Sequence, residues 1–385
     1  MEPPNLQAPF PKDTLKTLYL MTFGVMRLRF VKFVLISIFL FHSSIGVVQV
    51  IDLLSTFDGK QLLQYGPCFL ISCSCLVNIA TVLSTQELLS KLFIKLAMSR
   101  FRTLERLPLQ ITRRILFESK MVTLAEIGTL SVLLIYSASY FRLFGNEKFV
   151  YGVVLFKRTF TKMADYFCLV YFSTLPILAY VAFINGGVII YTLMHLRFYM
   201  FLINGHLEQI FVDYDLIIDD YAKLKDQNYQ EEVFEQLKNC IERHQPIKLI
   251  EKKLNAKLLP SLVLLLYLSV AAVISMLFNV LIDHSTFEFF LAVCSMIVST
   301  ITPMLVVHIG QIVKNEYDRM YENTLNFPWI IWDCRNRRVL IFFMLNLQKS
   351  FHLGQPGFVL CQYSFLPTVL NFLWTVSTFI VQVSV

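Results

Sequence analysis

The sequence predicts an all-α membrane protein with seven transmembrane helices, its N-terminus cytoplasmic and its C-terminus extracellular, and with helical extensions on the cytoplasmic side. Three observations predict it. The 385 residues are 56% hydrophobic and only 16% charged, with a mean hydropathy of +0.60, whereas soluble chains carry about 25% charged residues. Seven apolar runs reach the length of about 20 residues that a bilayer core requires. Lys and Arg gather in alternate connections between those runs.

The elements follow in order. Residues 1–30 form a cytoplasmic N-terminal segment, whose opening "MEPPNLQAPFPKDTLK" lacks the basic stretch, apolar core and small-residue cleavage site of a secretory signal. Spans one to four, at 31–54, 66–84, 121–141 and 166–194, make a bundle with its loops over 31–194. A polar segment, 195–257, follows. Spans five and six, 258–282 and 287–309, occupy 258–310. A second polar region runs over 311–357, and the seventh span, 358–383, falls in the terminal stretch 358–385. The fourth run is long enough to project beyond the bilayer.

With the N-terminus inside, about 28 of the 34 basic residues lie on the cytoplasmic side and about 6 outside. Setting aside the long segment after span four, the ratio is still about 19 to 6. The connection between spans two and three is the clearest, with Lys91, Lys95, Arg100, Arg102, Arg106, Arg113, Arg114 and Lys120. Lys148, Lys157, Arg158 and Lys162, between spans three and four, run against the trend. The absence of an N-x-[ST] sequon agrees with an inside N-terminus.

The polar segments are helical by period. Leu207, Ile210, Phe211, Tyr214, Ile217, Ile218, Tyr221 and Leu224 recur at three- and four-residue steps, opposite Asp213, Asp215, Asp219 and Asp220. After a turn near Asp226, the residues Val233, Phe234, Leu237, Cys240, Ile241, His244 and Ile247 repeat the pattern, giving a cytoplasmic helical hairpin. Val339, Phe342, Phe343 and Leu347 mark a second helix face before span seven. These apolar stripes need partners to bury against.

No catalytic motif is present: neither G-x-S-x-G, H-E-x-x-H nor a Gly-rich phosphate loop, so an enzyme is not expected. The seven histidines lack metal-ligand spacing, and neither metal nor cofactor is expected. The eight cysteines form no C-x-x-C pair and read as small apolar core residues. Glu126 is the one clear intramembrane acid, placed where pairing with an Arg or water is available. Pro176 and the run Asn185-Gly186-Gly187 predict a local kink in span four.

The terminal helix carries two polar stripes. Ser377, Val381 and Ser384 share a narrow arc at 100° per residue, while Asn371, Thr375, Thr378 and Gln382 occupy another. Unsatisfied polar groups are costly in hydrocarbon. One stripe facing pore water and the other a neighbouring helix is one solution, with Val381 as a hydrophobic constriction. Packing of both stripes inside a seven-helix bundle is the other.

Several motifs occur in a fixed order: "CIERHQPIKLIEKKLNAKLLP" at 240–260, "HIGQ" at 308–311, "NFPWI" at 326–330, Arg337-Arg338 and "MLNLQKS" at 344–350. In this order the chain resembles the insect odorant receptors, over nearly its whole length and most sharply from Cys240 onward. It departs at Gln348-Lys349-Ser350, where the family has Q-K-P, and at Ser377–Gln382, where it has S-Y-F-T-L-L. Gustatory receptors, the sister group, share the spacing of Thr375 and Gln382 but have aromatic residues where this chain has Val376 and Val383. A G-protein-coupled receptor would have the opposite orientation and other motifs; "YDRMY" at 317–321 follows span six, not span three.

The resemblance implies a subunit of a heterotetrameric ligand-gated cation channel, a tuning receptor assembled with an odorant co-receptor in the plasma membrane of a sensory dendrite or cilium. It implies that span seven lines the pore, with the gate at Val381 and with Ser377, Ser384 and Val385 beside it, and that the chain stops at the pore's outer mouth. It implies that the cytoplasmic extensions form an anchor between subunits. The odorant pocket would lie in the outer bundle, among Phe69, Ser72, Cys73, Ser131, Ile135, Ala138, Tyr171, Thr174 and Leu175. Such lining suits a small volatile. The other partner is membrane lipid; no nucleic acid is expected.

Overall fold

A computed structural model describes residues 13–56, 65–85, 109–139, 150–160, 162–212, 224–282, 286–355, 358–359 and 362–384. The described residues are mostly helical, with short connecting turns and one small ladder. The helices are α1 (Arg29–Thr56), α2 (Tyr65–Thr85), α3 (Leu109–Ser139), α4 (Tyr151–Thr159) and α5 (Ala164–Val212). They continue with α6 (Gln227–Lys257), α7 (Leu259–Ile282), α8 (Thr286–Leu325), α9 (Cys334–Leu347) and α10 (Phe365–Ser384). Before α1, a helical turn at Lys16–Tyr19 runs into a π-helical turn at Leu20–Gly24.

The seven expected spans fall on α1, α2, α3, α5, α7, α8 and α10. Among the described residues, α1, α2, α3, α5 and α7 are each long and apolar enough to cross a membrane, and Phe365–Phe379 of α10 is a shorter apolar helix. The last span starts later than expected, at Phe365. Phe358–Val359 instead pairs antiparallel with Gly354–Gln355, and Pro367 sits in the first turn of α10, where a missing N–H costs nothing. Much of the expected hairpin, 213–223, lies outside the described residues.

Helix α5 is the axis. Every residue from 183 to 204 is buried, and its largest contacts are with α8 and α3, then with α4 and α6. Polar pairs add to the packing at four of its contacts, with the N-terminal segment, α2, α3 and α8. Tyr191 donates to Asp13 of the N-terminal segment at 2.8 Å, and Asn185 donates to Asn78 of α2 at 2.8 Å. Arg197 meets both oxygens of Glu118 on α3, at 2.8 and 3.1 Å. Asn204 donates to Glu316 of α8 at 2.7 Å. These pairs occur at different heights, so together they fix the register of α5 against its neighbours; charge-assisted bonds add geometric specificity.

Helix α5 runs unbroken through Pro176 and the Asn185-Gly186-Gly187 run. The glycines serve close approach. A Cβ on Gly186 would collide with Thr302 Cγ2 of α8, and one on Gly187 would lie 2.9 Å from Thr22 Cγ2. Small residues let membrane helices pack backbone to backbone. Glu126, 2% exposed, faces this crossing.

At one end of the bundle, α6, α8 and α9 form a compact unit. The stripe read from the sequence is buried at Val233, Leu237, Cys240, His244 and Ile247 of α6. Asp226 caps α6 by accepting from the N–H groups of Asn228 and Tyr229, and Asp333 caps α9 by accepting from Asn336 N at 2.7 Å. Gln230 joins the two caps, donating to the Ile331 carbonyl at 2.9 Å and accepting from Asp333 N at 2.8 Å. Trp332, fully buried, fills the space behind them.

Candidate functional site

Two regions answer to the expected functions: a cluster of aromatic side chains between α1, α4 and α5, and the terminal helix.

The cluster begins with a stripe on α1. Ile38, His42, Ile45 and Gln49 are all buried, one helical face at steps of three and four. Opposite them, Cys168, Tyr171, Phe172 and Thr174 form the inner face of α5. Val150, Val153 and Phe156, from α4 and the residue before it, close one side. The ring centroids of His42 and Tyr171 are 5.0 Å apart, those of Phe156 and Tyr171 6.3 Å edge-on, and those of Phe41 and Phe156 6.3 Å stacked. Such offset arrangements contribute about 0.5–1.5 kcal/mol per pair beyond area burial.

A short polar chain threads the cluster. The Thr174 hydroxyl donates to the Tyr171 carbonyl at 2.6 Å, and His42 Nε2 lies 2.8 Å from Thr174 Oγ1. The Tyr171 hydroxyl points towards Ser72, with Cys68 and Cys75 nearby. At the rim, Tyr151 donates to Asp52 Oδ2 at 2.8 Å and Arg158 stands 3.6 Å from the same carboxylate. These contacts tie α4 to the end of α1. Burial in contact with the Asp52 carboxylate pushes the Tyr151 phenol up from its ordinary range.

Of the residues expected in the pocket, Tyr171, Thr174 and Leu175 belong to this cluster and Ser72 faces it. Phe69 points at α1, near Gly46, and Cys73 is half-buried on α2. Ser131, Ile135 and Ala138 do not join: they are exposed on α3, Ile135 to 71%. The inward face of α3 runs instead through Glu126, Thr129, Leu130, Leu133 and Ser137. Ser131 and Leu133 are two residues apart, about 200° around the helix. The sequence reading passed over His42, Ile45, Val153 and Phe156. Their signals were the buried stripe on α1 and the three-residue spacing of Val150, Val153 and Phe156.

Helix α10 packs mainly against α7, and its start is held by α8. His308 Nδ1 bonds the Tyr363 hydroxyl, and Gln311 Oε1 accepts from Tyr363 N at 3.1 Å, so "HIGQ" anchors the segment that leads into the last helix. Leu370, Phe372, Trp374 and Phe379 are exposed by 52–73%. The hydroxyls of Thr375, Ser377 and Thr378 donate to the carbonyls of Asn371, Leu373 and Thr375 at 2.8, 2.7 and 2.9 Å. The helix thus satisfies these three hydroxyls itself. Asn371 and Gln382 remain exposed. Ser377, Val381 and Ser384 lie on α10; the side chains of Val381 and Ser384, and all of Val385, fall outside the described residues.

The comparisons with known proteins agree with this architecture. The fold is similar to the insect olfactory receptor OR5 from Machilis hrabei, alone and in complex with eugenol. Each match has a TM-score of 0.62 at 12% identity, covering 89% of this chain and 88% of that one. No curated protein matches the sequence. The family described as 7tm Odorant receptor matches residues 58–372, which take in α2, α3, the α4–α5 face of the aromatic cluster, the α6–α9 unit and the start of α10. The chain is a multi-pass membrane protein, and it belongs to the 7tm odorant receptor family.

Proposed function

We propose that this chain is the tuning subunit of a heterotetrameric, non-selective cation channel, assembled with an odorant co-receptor in the plasma membrane and opened by a small volatile. The observation that carries the reading is the placement of α10. A largely apolar helix with two polar stripes, packed mainly against one neighbour and exposing Asn371 and Gln382, is suited to a position between other subunits and a water-filled axis. Exposed Ile341, Phe342 and Leu345 on α9 supply a matching surface at the far end, where the α6–α9 unit would serve as the cytoplasmic anchor. The N-terminus is then cytoplasmic and the C-terminus extracellular, which places the aromatic cluster in the outer half.

Ligand in that cluster opens the channel only through higher affinity for the open form. Closure is by a constriction of Val381 side chains that excludes water, with Ser377, Ser384 and Val385 along the same wall. The test is whole-cell current in cells co-expressing this chain and an odorant co-receptor, exposed to volatiles with GDPβS in the pipette. A rapid cation current that survives the block is expected. Abolition of the current by the block would replace the channel with a G-protein-coupled receptor. A response confined to non-volatile tastants would favour a gustatory channel.

A further inference from the structure

The segment that joins α9 to α10 is held by side chains of a neighbouring helix. Residues 350–354 begin by alternating: Ser350 and His352 are half-buried, whereas Phe351 and Leu353 are buried, the two-residue period of an extended chain. Two residues of α6, one turn apart, bond its backbone. Glu251 Oε1 accepts from His352 N at 3.1 Å. Asn255 Nδ2 donates to the His352 carbonyl at 3.1 Å, and Asn255 Oδ1 accepts from Gly354 N at 3.1 Å. A backbone carbonyl only accepts and an N–H only donates, so the direction of all three bonds is fixed, and with it the orientation of the Asn255 amide. The spacing matches: four helical residues rise about 6 Å and two extended residues about 6.6 Å. Glu251 is 7% exposed, and its other oxygen takes Lys248 Nζ at 3.1 Å, which also donates to the Lys349 carbonyl at 2.8 Å. From α8, Asp318 accepts from the Ser350 hydroxyl at 2.7 Å.

The helix that grips this segment continues into the one that supports α10. α6 and α7 are joined through Leu258 alone, itself in helical conformation, with Leu262 N bonded to its carbonyl at 3.0 Å. α7 is the helix on which α10 mainly packs. One rod therefore holds both α10 and the segment that leads into it. We propose that Glu251 and Asn255 are positioning residues for the gate: their grip on His352 and Gly354 ties the start of α10 to the α6–α7 rod. They act through the backbone of that segment. This rests on the reading that α10 lines a gated pore. It also gives part of "CIERHQPIKLIEKKLNAKLLP" a task, since Lys248, Glu251 and Asn255 share one face of α6 at steps of three and four. In a channel closed at rest, loosening the grip frees α10 to leave its closed position, so the open population without ligand rises.

The test compares Asn255→Ala, Glu251→Ala and the double variant with Glu251→Gln, whose amide oxygen still accepts from His352 N. Each is read twice: as unliganded whole-cell current with the co-receptor, normalised to surface expression, and as hydrogen–deuterium exchange across 349–355 in the detergent-purified chain. Both alanine variants are expected to raise the exchange and to raise the unliganded current about fivefold or more, the lower end of ordinary coupling between sites. The double variant should match the larger single one, because both residues hold one segment. Glu251→Gln should match the unmodified receptor in both readouts, which a role for the charge alone would not allow. Raised exchange with an unchanged current would overturn the proposal and leave the grip purely structural, and unchanged exchange would overturn the grip itself. If the alanine variants do not reach the surface, Asn255→Asp, which keeps the Gly354 bond and loses the donor to His352, is read in their place. A smaller rise in its current is then expected, and no rise overturns the proposal. If GDPβS abolishes the current of unmodified and variant receptors alike, the channel reading fails and the gate with it, whereas the exchange readout needs no current and still tests the grip.

Discussion

Helices α5 and α10 are both predominantly apolar in composition, yet the protein treats them oppositely. α5 is enclosed by α3, α4, α6, α8 and the N-terminal segment, and its middle is fully buried. α10 rests on α7 and exposes Phe372, Trp374 and Phe379. A helix that is hydrophobic all round belongs in a core or in lipid, and composition does not separate the two. What separates them is polar pairing. The buried polar groups Asn185, Tyr191, Arg197 and Asn204 of α5 each reach a different neighbour. The bonded hydroxyls of α10 turn back on their own backbone. Helix α5 is thus specified within the subunit, and α10 is left available to whatever lies beyond it.

The largest expected break of this contrast is Phe183→Ala. Phe183 is 1% exposed on α5, and truncating it should cost about 3–5 kcal/mol, read as a lowered Tm of the detergent-solubilised protein. Next is an acid effect in the α6–α9 unit. His244 is 4% exposed, 2.9 Å from the Tyr317 hydroxyl. Burial, aided by the nearby Lys248 charge, lowers its pKa from 6.5 to about 4. The unfolded chain then takes up a proton that the folded one refuses. The contribution is intact above pH 6.5 and is withdrawn as pH falls towards 4, by on the order of 3 kcal/mol. A pH series of Tm measurements should show this step, and His244→Gln should remove it.

Third, Gly186→Ala should cost about 1–3 kcal/mol, the usual penalty of overpacking, because the new methyl meets Thr302 Cγ2. Adding Thr302→Ala should return most of that stability, while Gly128→Ala, with nothing within 4 Å, should lower Tm not at all. The smallest effect is Phe372→Ala on α10. Its side chain is 52% exposed, and the change in subunit stability should stay within about 0.5 kcal/mol. A fall in the tetramer fraction on native gels without a fall in subunit Tm would sharpen the contrast between the two helices. An equal fall in Tm would remove it.

Much of this was readable in advance because one face of a helix repeats at a fixed period. Val233, Leu237, Cys240, His244 and Ile247 read as a stripe, and all are buried. The motifs around "HIGQ" and "NFPWI" mark real joints: His308 and Gln311 hold Tyr363, and Phe327 packs on Trp332. Where the reading went astray, periodicity was silent about what stood opposite. Ser131, Ile135 and Ala138 share a face as expected, but it is the outward one, because Glu126 and Ser137 take the inward side. Gly186 and Gly187 read locally as a kink signal, and only the fold shows that their lack of side chains makes room for Thr302 and Thr22 across the interface. His42 is one of several scattered histidines in the sequence, and only the fold gives it Thr174, 132 positions away, as a partner. Long-range partners of this kind have no local signature.

The account turns on α10 lining the pore with Val381 as its constriction. The most direct measurement is the unliganded whole-cell current of Val381→Ala co-expressed with the co-receptor, normalised to surface expression. Shortening the side chain should widen and wet the constriction, so the resting current should rise above that of the unmodified receptor. A resting current equal to the unmodified one, at equal surface expression, would contradict the placement of the gate at Val381.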